Sequence, residues 1–255
     1  MTKVLVVLTN TTRYQHTDAP TGLWLGEAAE FVDAMQQANI AVDYVSPKGG
    51  FVPLDPRSMK YTNPAIMKIY EDHDFQERAL TASLRPEQVN PAEYDAIYFT
   101  GGHGVMWDFP DNQALQAIAL AIYQHQGYVT SVCHGVAGLL NIKDQAGQYL
   151  IAGKKITGFT HAEEILAGKQ KVVPFLNKTV ANKHNAHFVQ KRAYKSFAVQ
   201  DGQLITGQNP FSVKALTDLL VPQLKHYFFN ADFMLPISTD TSNFCCQMMT
   251  MMQCQ

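Results

Sequence analysis

Apolar positions along the chain alternate between short unbroken runs and helically spaced stripes. Residues 4–8 (VLVVL) form a continuous apolar run, the pattern of a strand buried on both faces. Behind it, Ala28, Phe31, Val32 and Met35 fall at i, i+3, i+4 and i+7, which predicts an amphipathic helix. Ala41–Val45 predicts a second strand closed by Ser46-Pro47, and residues 95–100 a third that runs into Gly101-Gly102. Leu115, Ile118, Ala119 and Ile122 mark the next helix, and Tyr128–Val132 the next strand. Residues 136–140 open a further predicted helix past Cys133, and residues 155–159 and 203–206 read as late strands. The last clear helix takes Asn209 as N-cap and Pro210 at its first position, with Val213, Leu216 and Leu220 facing inward.

Strands alternating with amphipathic helices imply βαβ units, hence an α/β fold with a doubly wound, mostly parallel sheet and helices on both faces. Ligands in such folds sit beyond the carboxyl ends of the strands. Three polar, Gly-rich or reactive segments begin there: Asn10 onward, Gly101-Gly102-His103-Gly104, and Cys133-His134-Gly135. Residues 46–91 break the alternation and carry six prolines. A structureless stretch of that length is unusual inside a compact domain, so one or two short helices are expected there, forming a cap near the site. The expected organisation is one α/β domain over residues 1–230, with 46–91 as a cap insertion and 231–255 as an atypical tail. Four methionines and three cysteines (Cys245, Cys246 and Cys254) crowd its last eleven residues without usable periodicity, which reads as a weakly packed terminus rather than a metal or redox device.

Composition narrows the partners. Lys+Arg (20) nearly balance Asp+Glu (22), so no charge excess draws the chain to nucleic acid or an anionic membrane surface. No stretch approaches the roughly 18 uninterrupted apolar residues of a membrane helix, and the opening lacks a signal-peptide pattern. Cys133 is the one cysteine in the body of the chain, which is no disulfide framework and suits a reducing compartment. A cytoplasmic location is expected.

Cys133 falls where a strand turns abruptly into a helix, the setting of a nucleophile elbow, and Gly135 permits the tight turn. A helix amino terminus favours thiolate over thiol. A lone cysteine can also be a small buried hydrophobe; the adjacent His134 and the Gly-rich turn at the neighbouring strand end favour a reactive thiol. His134 is a candidate base or acid, provided the elbow turns its ring back toward its sequence neighbour. Glu163 and Glu164 are the nearest acids that could orient it. Glu27 borders the apolar stripe while Glu30 points to solvent, so the Glu27 carboxyl is expected to be partly desolvated and to keep a proton. Periodicity alone leaves open the alternative of an edge carboxylate paired with a lysine or arginine. Free N–H groups in the turn holding Gly102, His103 and Gly104 can stabilise an oxyanion. His184 and His187 read as surface residues rather than metal ligands, and no metal is expected.

These segments together resemble the ThiJ/PfpI superfamily, also called class I glutamine amidotransferase-like, and within it the branch of glutathione-independent glyoxalase III enzymes first described as heat-shock chaperones. The resemblance is carried by Gly22-Leu-Trp-Leu-Gly-Glu27, by Tyr94-Asp-Ala-Ile-Tyr-Phe-Thr-Gly-Gly-His-Gly104 with Trp107-Asp-Phe-Pro110, by Val132-Cys-His-Gly135, by Ile156-Thr-Gly-Phe-Thr160 with Glu163-Glu164, and by Leu204-Ile-Thr-Gly-Gln-Asn-Pro210. It implies a flavodoxin-like sandwich, a homodimer, and no metal or organic cofactor. It also implies Cys133 as nucleophile, His134 as its partner, Glu164 ahead of Glu163 as the third triad member, Glu27 as proton carrier, and backbone amides around Gly102, His103 and His134 as the oxyanion site. The implied reaction takes methylglyoxal or a related dicarbonyl to lactate through a hemithioacetal and an enediol. A holding chaperone, suggested by the branch's history and an aromatic content of 11%, is one alternative. Another thiol-dependent hydrolase or hydratase on the same scaffold is the second, and a redox sensor built on Cys133 the third. Amidotransfer is disfavoured, because the one His-x-Glu, His161-Ala-Glu163, follows too closely on Cys133.

Overall fold

The apolar runs become the strands of a central sheet in a computed structural model that describes residues 2–15 and 17–231, with side chains to residue 225. In chain order the elements are β1 (Lys3–Val7), α1 (Leu25–Gln37), β2 (Ala41–Val45), α2 (Pro64–Tyr70), β3 (Ala96–Phe99), α3 (Val105–Asp108), α4 (Gln113–Gln124), β4 (Tyr128–Val132), β5 (Lys155–Ile156), α5 (His161–Leu166), α6 (Asn177–Lys183), β6 (His187–Phe188), β7 (Ala198–Asp201), β8 (Leu204–Gly207) and α7 (Val213–Ala231). The main sheet runs β2-β1-β3-β4-β8-β7, parallel throughout except for the antiparallel pair β7–β8. Its register aligns Val7 with Phe99, Phe99 with Ser131, and Ser131 with Thr206, so the central strands end together. The strand order reverses between β1 and β3, which opens a crevice at their carboxyl ends.

Both faces of the sheet are covered. Helices α1 and α7 bury Leu25, Phe31, Met35, Leu216 and Leu220 against one face, with Val4, Val6 and Tyr98 beneath them. On the other face α4 and the segment after Cys133 pack Leu115, Ile122, Val136 and Leu140 on Leu5, Ile97 and Val129. Each such fully buried side chain contributes roughly 1.5–3 kcal/mol. Phe31 stacks on Tyr98 at 3.8 Å, and the Tyr98 hydroxyl donates to the Glu27 carbonyl at 3.0 Å, which fixes the first turn of α1 against β3. Among the described residues no helix is long and apolar enough to cross a membrane.

Three local expectations are corrected. The chain after Cys133 is a 3-10 run over Cys133–Gly138 rather than an α-helix over 136–140, because Gly135 and Gly138 hold it hard against the Phe99 backbone and ring. The strand expected at 155–159 stops at Ile156, in a separate two-stranded sheet with His187–Phe188. Beyond it Gly158 brings the chain onto Val136, and the Phe159 N–H donates to the Cys133 carbonyl at 3.0 Å. Strand β7 was not anticipated; it pairs back on β8 across Gly202-Gln203, with Gly202 at φ 61°, a Gly-X hairpin turn legible in hindsight. Residues 46–93 hold α2, a π-helical stretch over Phe75–Thr81 and three short 3-10 turns, and Arg57, Lys60 and Tyr61 from this segment line the main cavity. The methionine- and cysteine-rich tail lies outside the described residues.

Candidate active site

Strand β4 delivers Cys133 in a backbone conformation few side chains adopt. Val132 is extended at φ −130°, and Cys133 turns to φ +56°, in the left-handed region. A non-glycine residue there costs of the order of 1–2 kcal/mol, which the surrounding fold must offset. That sharp turn sends the His134 ring back over its neighbour: Cys133 Sγ lies 3.3 Å from His134 Nδ1, and both residues are buried. His134 Nε2 in turn lies 2.7 Å from Glu164 Oε1.

Glu163 and Glu164 occupy the first turn of α5 but serve different ends. The Thr160 hydroxyl accepts from the Glu163 N–H and the Glu163 carboxylate accepts from the Thr160 N–H, a reciprocal cap that starts the helix. Glu163 Oε1 also accepts from the Tyr194 N–H and from the amides of Gln208 and Asn209, so its lone pairs are spent on the fold. Glu164 is left to face the histidines. Burial alone would raise its carboxyl, but the charge of His134 and the hydrogen bonds from His103 and His134 outweigh that and hold it well below the usual carboxylate range.

Glu27 is fully buried, more deeply than helical periodicity suggested, and among the described residues no basic side chain pairs with it. Its Oε2 accepts the Gly101 N–H at 2.7 Å. Its Oε1 is buried with no hydrogen-bond partner among the described residues, and Cys133 is the neighbouring side chain that acts on the carboxyl group. Burial pushes this carboxyl up to about 8 against the partial relief given by Cys133 and Gly101. Burial likewise pushes the Cys133 thiol up, and an ionised Glu27 would push it further. With a proton on Glu27 that repulsion is gone, and the carboxyl offers the thiolate an O–H donor instead. Glu30, expected in solvent, is part-buried.

The turn after β3 supplies the remaining wall. Gly102 adopts φ 103°, where a side chain would overlap the Gly22 carbonyl. Among the described residues the N–H groups of Gly102 and His103 donate to no protein acceptor, and both residues line the cavity. Gly104 does not; it packs against Thr9 and Thr11. The His134 N–H acts on the thiol itself and lowers its pKa.

Sequence reasoning singled out His103 for its backbone and missed its ring. His103 Nε2 lies 3.2 Å from Glu164 Oε2, and Nδ1 lies 2.9 Å from the Arg57 guanidinium. Arg57 is itself clamped on buried Asp55 through Nε and NH2, and also donates to the Tyr14 hydroxyl. No sequence signal marks Arg57, because Tyr14 and His103, the partners that tie it to the site, lie 43 and 46 residues away along the chain. His103, His134 and Glu164 bring ligand atoms within 4.8 Å of one another, a donor set a cation could use, although these atoms already bond to each other. His184, expected at the surface, is buried under Tyr149 with Nδ1 on the Leu140 carbonyl, while His187 is exposed. The cavity over Cys133 measures about 600 Å³, and Trp24, Tyr61, Phe159, Tyr194 and Phe211 also line it.

Comparison with known proteins places the chain among relatives. The model of the DJ-1/PfpI family matches residues 23–223. The chain is 31% identical over 231 residues to Glyoxalase 3 of Candida albicans, an alignment covering 86% of this chain and 98% of that protein. It is 31% identical over 234 residues to the glutathione-independent glyoxalase HSP31 of Saccharomyces cerevisiae, covering 88% and 98%. The X-ray structure of Rapid Encystment Protein 24 KDa from Francisella tularensis superposes with a TM-score of 0.85 at 36% identity, covering 88% of this chain and 99% of that one.

Proposed function

The chain belongs to the DJ-1/PfpI family, and on that premise we propose that it is a glutathione-independent glyoxalase, converting methylglyoxal or a related dicarbonyl to lactate with Cys133 as nucleophile. The relatives named as glyoxalases support the substrate class. One observation carries the assignment of roles: a buried thiol stands between a histidine–glutamate pair and a second, separately buried glutamic acid.

The Cys133 proton passes to His134 Nδ1, 3.3 Å away, while Glu164 holds Nε2–H and stabilises the imidazolium. The thiolate adds to the aldehyde carbon, and the developing oxyanion meets the free N–H groups of Gly102 and His103. The proton on the aldehyde carbon then moves to its neighbour through an enediol, with Glu27 or His134 as carrier. Glu27 suits this task because a carboxyl held near 8 both keeps and releases a proton at neutral pH. Water cleaves the resulting thioester, lactate leaves and the thiol is restored. The homodimer implied by the resemblance belongs to the same proposal and is read by sedimentation.

The test is lactate formation from methylglyoxal without glutathione, in wild type and Cys133→Ala. Turnover lost in the variant is expected. Absence of turnover in wild type overturns the reading and leaves a holding chaperone or another thiol-dependent hydrolase.

A further inference from the structure

The cavity beside Cys133 is far larger than methylglyoxal needs. It measures about 600 Å³, whereas so small a dicarbonyl fills on the order of 100 Å³, and cavities of this size ordinarily hold drug-sized ligands. Its walls are ordered by chemistry. From the His134 ring an aromatic series runs outward: Phe159 at 4.3 Å, then Tyr194 at 6.1 Å from Phe159, then Phe211 at 6.1 Å from Tyr194. Exposure rises along it from 4% at Phe159 through 37% at Tyr194 to 50% at Phe211. A second aromatic pair, Trp24 and Tyr61 at 5.4 Å, lines the same cavity, and Tyr61 is 58% exposed.

Scattered exposed apolar side chains need no explanation, but a cluster at one opening marks a ligand surface. Among the described residues, Tyr61, Leu166, Tyr194 and Phe211 are all large, exposed and apolar, and all line this one cavity. Arg57 and Lys60 line it too, cations suited to the face of an aromatic ring. A methyl group would touch only the innermost of these groups.

We infer that the outer cavity is an aromatic subsite, and that the preferred substrates are 2-oxoaldehydes carrying an aryl group in place of the methyl. The inference rests on the glyoxalase reading above. With phenylglyoxal, the Cys133 sulfur bonds to the aldehyde carbon, the proton of that carbon moves to the adjacent one, and water cleaves the thioester. Mandelate leaves with the thiol restored. The aldehyde carbon is oxidised as the ketone carbon is reduced, so no external oxidant is consumed.

The experiment compares kcat/KM for mandelate formation from phenylglyoxal with that for lactate formation from methylglyoxal, in wild type, Phe211→Ala and Tyr61→Ala. Product rather than substrate loss is followed, because phenylglyoxal also modifies arginine side chains. A single methylene in an apolar pocket is worth about tenfold or more, so an aryl preference of at least about tenfold is expected in wild type, falling toward unity in each variant. A ratio at or below unity in wild type overturns the subsite, as does a ratio that neither variant moves. Turnover of methylglyoxal alone removes the subsite and leaves the glyoxalase. Turnover of neither compound removes both.

Discussion

His103 and His134 lie ring to ring, 4.1 Å between centroids, and reach the two oxygens of a single carboxylate, Glu164. Arg57 can only donate, so His103 Nδ1 is the acceptor of that pair and Nε2 carries the hydrogen that points at Glu164. Burial first, and the charge of His134 second, hold the His103 ring down at about 3, so it stays neutral. His103 is therefore a fixed donor to the oxygen that His134 does not use. In His103→Phe that oxygen loses its partner and the Glu164 carboxyl rises. The acid limb of the kcat/KM pH profile is expected to move upward, with a rate loss of roughly tenfold at pH 7. A lower Tm with an unmoved limb would make His103 a packing residue only.

The two adjacent acids of α5 separate in experiment. Glu164→Gln removes the group that holds the His134 imidazolium, and kcat is expected to fall by about 10²–10⁴-fold with a small change in Tm. Glu163→Gln places an amide donor among the Tyr194 N–H, Gln208 and Asn209 donors, and its first effect is expected on stability, by roughly 1–3 kcal/mol. Parallel kinetics and thermal melts check both; the reverse pattern would exchange the roles assigned to them.

Glu27 gives the fold a pH dependence with a definite sign. Its folded pKa of about 8 lies above the ordinary 4.5, so the folded state holds the proton more tightly than the unfolded chain. Stability is full below about 4.5 and declines as pH rises toward 8, because unfolding then releases a carboxyl that ionises in water. Glu27→Gln keeps an acceptor for the Gly101 N–H and has no proton to lose. Its stability is expected to gain on that of wild type from about pH 5 to about pH 8 and to level off above, by at most a few kcal/mol, read as a widening and then constant Tm difference. Melts from pH 5 to 9 measure this; parallel curves for the two proteins would contradict it.

The main strands and α1, α4 and α7 were legible because they rest on local periodicity, which burial on both faces of a parallel sheet enforces. What escaped depends on contacts distant in sequence. The segment 155–159 has the composition of a strand, yet from Thr157 it is diverted: the Thr157 N–H goes to the Thr206 hydroxyl and the Phe159 N–H to Cys133. Strand β7 is half-buried along its length, so it lacks the apolar run that revealed its neighbours. At the site, the Cys133–His134 contact depends on a backbone angle that sequence does not display. Glu163 and Glu164 are indistinguishable until Gln208 and Asn209, from beyond β8, claim the first. The ring of His103 gained its place through Arg57, which sits in a proline-rich segment without any readable period.

The anchoring of Glu27 bears on the handedness of what the enzyme would make. Its carboxyl is fixed by the first turn of α1 and the Gly101 N–H and is sealed from solvent. An enediol is flat, and either of its faces could in principle take up the proton. Where Glu27 rather than His134 is the donor, so rigid a mount reaches one face, and the 2-hydroxy acid would leave as a single mirror-image form. The choice between left and right would then lie in where α1 begins, after Trp24, rather than in anything the substrate carries.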